Sequence, residues 1–87
     1  MHEASLIRDL INKVTVLALE EDAARVTVVK VWLGALSHMS ADHFREHFDH
    51  ASKDTIADGA LLDIDVSTDI HDPNAQALLL RSIEVET

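Results

Sequence analysis

Apolar side chains recur every three or four positions through the first twenty residues, which is the spacing of one face of an α-helix. The stripe predicted to face the core consists of Leu6, Leu10, Val14 and Leu17, with Ile7, Ile11 and Ala18 beside it. Arg8, Asp9 and Lys13 fall on the opposite side, toward solvent. The pattern predicts a first helix over residues 3–20, which the polar segment EEDAAR closes.

Helical spacing returns in the segment SADHFREHFDHASKD, residues 40–54. Its predicted buried stripe is Phe44, Phe48 and Ala51, at positions i, i+4 and i+7. We expect Ser40 to be the N-cap, because a hydroxyl there can accept a hydrogen bond from a free backbone N–H of the first turn. The segment therefore predicts a second amphipathic helix.

Three other segments are β-branched or alternate between apolar and polar residues, which is typical of strands. They are RVTVVKVWLG, DGALLDIDVS and ALLLRSIEVE, residues 25–34, 58–67 and 77–86. In the second of them, one face is predicted to carry Leu62, Ile64 and Val66. In the third, the apolar phase shifts between Leu80 and Ile83, which indicates a β-bulge or a change of neighbours.

The predicted order is α-β-α-β-β, an α+β fold of two layers. A strand, a helix and a strand in succession favour a parallel pair joined by a right-handed crossover. The last strand would pair antiparallel with one of the others. Two helices packed on one face of a three-stranded mixed sheet would bury both helix stripes. The 87 residues are expected to form a single domain, residues 1–87.

Composition narrows the classes of function. A net charge of −9 argues against binding nucleic acid, since few positive charges could neutralise phosphates. No apolar run approaches the ~18 residues of a membrane span, and no signal peptide is recognisable, so we expect a cytoplasmic protein without membrane contact. The absence of cysteine excludes disulfides and thiolate metal sites in these residues. No nucleophile arrangement or glycine-rich phosphate loop is recognisable, so an enzyme is not expected.

The first three residues, Met1, His2 and Glu3, could bind a metal ion. A free α-amine, a backbone amide and the His2 imidazole can close chelate rings, and nitrogen donors in a square-planar array favour Ni(II) or Cu(II). Glu3 could add a side-chain oxygen or its backbone nitrogen. In peptides the reference pKa values are ~7.7–8.0 for an α-amine and ~6.5 for an imidazole. Metal binding should therefore weaken below neutral pH.

The second predicted helix carries three histidines on one stripe, His43, His47 and His50. Two imidazoles at i and i+4 can share a divalent ion, and zinc is one candidate. The alternative is an exposed, partly packed row of histidines at the border of the buried face. We expect His38 and His71 to be surface residues of connecting segments.

Four segments in order resemble the HypA family of nickel metallochaperones for hydrogenase maturation, some of which also serve urease. They are MHEASLIRDLINKV, RVTVVKVWLGALS, HFREHFDHASKDTIADGALLDID and LLLRSIEVE. The resemblance implies Ni(II) binding by the Met1 amine, the His2 imidazole and the Glu3 region. It also implies a HypB-type GTPase and a hydrogenase large subunit as partners.

One departure from the family pattern is large. HypA proteins carry a zinc module with two Cys-x-x-Cys pairs between the last two strands, whereas here a short connection near residues 68–76 takes its place. We therefore expect no structural zinc. The alternative function is a metal-independent HypA-like interaction module that docks on a maturation partner or a hydrogenase-like subunit.

Overall fold

The computed structural model describes the backbone from Glu3 to Thr87 and the side chains from Ala4 onward. The helices and strands are α1 (Glu3–Glu20), β1 (Arg25–Leu33), α2 (Ala41–Ala51), β2 (Leu61–Val66) and β3 (Leu78–Glu86). The predicted α-β-α-β-β order is confirmed.

The three strands form one mixed sheet in the order β2-β1-β3. β1 pairs parallel with β2 and antiparallel with β3, as predicted. The predicted bulge also occurs: Lys30 is opposite Ser82 while Val31 is opposite Leu80, so Arg81 is an extra residue in β3. This bulge restores the inward direction of the apolar side chains on both sides of it.

Both helices pack on the same face of the sheet. The buried core draws on α1, on the inward face of β1 and on α2; its larger members are Ile7, Leu10, Ile11, Val14, Val26, Val29, Val31, Leu33, Phe44, Phe48 and Leu62. Within α1 the predicted stripe was partly wrong, since Leu6 and Leu17 are 38% and 39% exposed. Ile7 and Ile11 are buried instead. α1 has apolar residues on most of its circumference, so packing rather than composition decides which of them are covered.

Helix α2 is fixed at its start and along its length. The Ser40 hydroxyl oxygen accepts a hydrogen bond of 3.1 Å from the backbone N–H of His43, which confirms the predicted N-cap. Phe44 and Phe48 are fully buried. Arg45 Nη1 donates a 2.8 Å hydrogen bond to the carbonyl of Leu62, which ties α2 to the edge strand β2.

A further burial prediction was wrong. Ala51 is exposed, and Ser52 is buried in its place, because α2 ends at Ala51 and the following turn points Ser52 inward. Its backbone N–H donates to the carbonyl of Phe48, so the buried polar group is paired. Val66 is half exposed because it is the last residue of an edge strand.

The connection between β2 and β3 packs on the segment that follows β1. The backbone N–H of Ser67 donates to Leu33, and that of Leu36 donates to Ala75 over 2.7 Å. Ala75 is buried, and its carbonyl lies so close to Gly34 that a Cβ atom at position 34 would overlap it. The short connection is thus part of the packed domain.

Candidate metal centre

The predicted nickel ligands lie at the start of the chain. Met1, His2 and the side chain of Glu3 lie outside the described residues, so their role as ligands remains a prediction. Glu3, whose backbone is described, is the first residue of α1.

A cavity of about 390 Å³ separates the first half of α1 from the second half of α2. On the α1 side it is lined by Ala4 and Arg8, and on the α2 side by His47 and His50. Apolar side chains, including Ile7 and Ile11, contribute to its walls. His47 and His50 of α2 and the first described turn of α1 therefore line the same cavity.

His43 and His47 are in direct contact on the exposed surface of α2. Their Nε2 atoms are 3.1 Å apart, and their ring centroids are 4.6 Å apart at an interplanar angle of 57°. The contact follows from the i, i+4 spacing of the two residues on one helix. The three histidines of the predicted row are thus exposed on α2, and the Nε2 atoms of His43 and His47 are in contact.

The other polar clusters are ordinary surface features. His38 and His71 are exposed in connecting segments, as predicted. Asp69 Oδ1 accepts a 2.9 Å hydrogen bond from the backbone N–H of His71, which shapes the turn. Within the described part of the chain, no group of three His, Cys, Asp or Glu residues is arranged to hold a metal ion.

Sequence reasoning missed the relationship between α1 and the histidines. Arg8 was predicted to face solvent; it is exposed, but it also lines the cavity with His47 and His50. Periodicity assigns a residue to a face of its own helix and does not predict which residues of another helix face it.

From residue 3 onward, none of the helices is both long enough and apolar enough to cross a bilayer.

Comparison with known proteins identifies a family. The family model described as "Hydrogenase/urease nickel incorporation, metallochaperone, hypA" matches residues 1–71. The hydrogenase maturation factor HypA of Methylocella silvestris is 41% identical over 66 residues, which are 76% of this chain and 58% of that protein. HypA of Archaeoglobus fulgidus is also 41% identical over 66 residues, covering 60% of its length. The chain thus spans about three fifths of the curated relatives it matches.

Solved structures share the fold. The nickel metallochaperone HypA from Helicobacter pylori superposes with a TM-score of 0.82 at 20% identity, covering 99% of this chain and 98% of that one. A second HypA structure gives a TM-score of 0.75 at 23% identity, with coverage of 98% and 96%. These similarities support the two-helix, three-strand architecture described above.

Proposed function

The chain belongs to the HypA family, and from that membership we propose that it is a nickel metallochaperone for the maturation of a NiFe-hydrogenase or a related nickel enzyme. In this proposal Ni(II) is the cargo of the protein. The Met1 amine, the His2 imidazole and Glu3 bind it. The observation that carries the proposal is the family match, which begins at residue 1 and therefore includes these three residues.

The chemistry of the three residues suits a carrier. Nitrogen donors in a planar array favour Ni(II), as the chelate formed by an amine, an amide and an imidazole would provide. A site at the start of α1 would be reached from outside the packed core, so the ion could be given up to a recipient. A fully enclosed cage would retain it.

We also propose that residues 1–87 form a single nickel-binding domain that does without a structural zinc ion. The connection near residues 68–76 supports this, because it bonds to the segment after β1 and buries Ala75. The 87 residues contain no cysteine to form a Cys-x-x-Cys pair.

The proposed partners are a HypB-type GTPase and a hydrogenase large subunit, and the proposed location is the cytoplasm. The role is transfer of an ion between proteins, with no reaction of its own. Trp32 lies on the face of the sheet opposite the two helices, and this face is available for such partners. The exposed surface of α1 is available as well.

The test is complementation of a bacterial strain that lacks its own HypA, with hydrogenase activity as the readout. The untagged protein with its native Met1 should restore activity, and His2→Ala should not. His71→Ala changes an exposed histidine far along the chain and should behave like the wild type. Equal activity with His2→Ala would reject nickel handling by the amino terminus and favour a metal-independent interaction module.

A further inference from the structure

We propose that His43 and His47 form a second metal site, which binds a divalent late transition ion such as Zn(II), Cu(II) or Ni(II) through both Nε2 atoms. The proposed ligands do not include Met1, His2 or Glu3. The site is therefore an addition to the proposed function and does not depend on it.

The separation of the two nitrogens is the first argument. A metal ion bound to imidazole lies about 2.05 Å from the nitrogen. Two nitrogens 3.1 Å apart would then form an N–metal–N angle of about 98°. This angle lies between the ~90° of square-planar ligands and the ~109° of tetrahedral ones. To bind the ion, each ring must turn its Nε2 lone pair away from the other nitrogen and toward the ion.

The rigidity of α2 is the second argument. Phe44 and Phe48, each directly after one of the two histidines, anchor the helix in the core. The Ser40 cap bonds to the backbone N–H of His43 itself, and Arg45 ties the same turn to β2. The backbone positions of the two ligands are thus set before an ion arrives, which lowers the entropy lost on binding.

A metal ion can replace the proton shared by the two Nε2 atoms. A hydrogen bond between the two Nε2 atoms needs one proton between them, whereas a metal ion needs a lone pair from each. Binding therefore requires the neutral tautomer with its proton on Nδ1 in both rings. Water would fill the other coordination positions, so the ion would remain exchangeable.

Some of the surrounding charges favour cation binding and others oppose it. The net charge of −9 attracts cations to the protein as a whole. Arg8 lines the same cavity as His47, and its positive charge opposes a cation inside that cavity. The ion is therefore expected on the solvent-facing side of the pair, where both rings are exposed.

The experiment is a titration of ZnCl₂ into the full chain carrying His2→Ala, so that the amino-terminal site is absent throughout. Calorimetry measures affinity, and NMR of the ¹⁵N-labelled imidazoles reports which nitrogens bind. We expect the Nε2 resonances of His43 and His47 to shift together. The double substitution His43→Gln and His47→Gln should weaken Zn(II) binding by about tenfold or more, and glutamine is a good helix former.

The matched control is His50→Gln on the same helix, which should change the affinity by less than about twofold. Circular dichroism of each variant checks that α2 is retained. The proposal is overturned if the double variant binds Zn(II) as tightly as its parent, or if the first resonances to shift belong to His38, His50 or His71. Because His2 is absent in every sample, neither result bears on nickel binding at the amino terminus.

Discussion

The carbonyl of Ala75 lies against the α-carbon of Gly34, in the space that any side chain at position 34 would occupy. The backbone N–H of Gly34 donates a 2.9 Å hydrogen bond to the carbonyl of Ala77, and that of Leu36 donates to Ala75. The connection from β2 to β3 is thereby fixed to the end of β1. The short connection between the last two strands is therefore packed against the sheet.

Gly34→Ala should lower the free energy of unfolding by about 2 kcal/mol or more, because the new methyl group would overlap a backbone carbonyl that cannot easily move. Gly59→Ala is the control. Position 59 has open space around it but a φ of +79°, so strain alone should cost about 1 kcal/mol. Urea denaturation of both variants measures the difference. A loss at Gly34 no larger than at Gly59 would contradict the packed connection.

Leu61 and Leu62 test which side chains of β2 face the helices. Leu62 is 3% exposed and faces the helices, whereas its neighbour Leu61 is 63% exposed on the uncovered face. Leu62→Ala should cost about 2–5 kcal/mol of unfolding free energy, and Leu61→Ala less than about 1 kcal/mol. The same urea titration measures both. Equal losses would mean that the register between β1 and β2 is wrong.

The elements could be predicted from the sequence because helical and strand periodicities differ strongly in this chain. The break between Leu80 and Ile83 predicted a bulge or a change of neighbours, and the structure has a bulge at Arg81. The burial of α1 was harder. Val16 and Leu19 are exposed as well as Leu6 and Leu17, so apolarity on this helix does not distinguish the covered face.

Ser52 and the cavity between α1 and α2 show two other limits of prediction from the sequence. A serine that is 2% exposed contradicts any hydrophobic pattern, and it is stable because the turn after α2 satisfies its hydrogen bonds. The contact of His43 with His47 follows from spacing along one helix. That Arg8 and His47 line one cavity depends on how two helices pack, which no local pattern contains.

Asp22 lies two residues after the end of α1 and adopts a left-handed conformation, with a φ of 52°. The backbone N–H of Ala23 donates to Ala18 and that of Asp22 donates to Leu19, which is the Schellman pattern of hydrogen bonds. Glycine adopts this φ without strain, so Asp22→Gly should raise the free energy of unfolding by about 0.5–1 kcal/mol. Thermal unfolding should show a higher Tm. An unchanged or lower Tm would contradict the helix end described above.

Ser40 caps the helix that carries the histidine pair. Ser40→Ala should cost about 1 kcal/mol of unfolding free energy, because a backbone N–H of the first turn loses its acceptor. Ser40→Asp should retain most of the stability, since a carboxylate caps equally well and suits the helix dipole. If both substitutions cost the same, the hydroxyl is not acting as the cap.

The central claim is that nickel binds at Met1, His2 and Glu3. The direct measurement is calorimetric titration of Ni(II) at pH ~7.5, where the neutral imidazole predominates. The protein should be tag-free with a native Met1 and should carry glutamine at positions 43 and 47, so that the α2 histidines do not contribute. We predict about one ion per chain at roughly micromolar affinity or tighter, weakened about tenfold or more by His2→Ala and unchanged by His71→Ala. Equal binding with and without His2 would contradict the account.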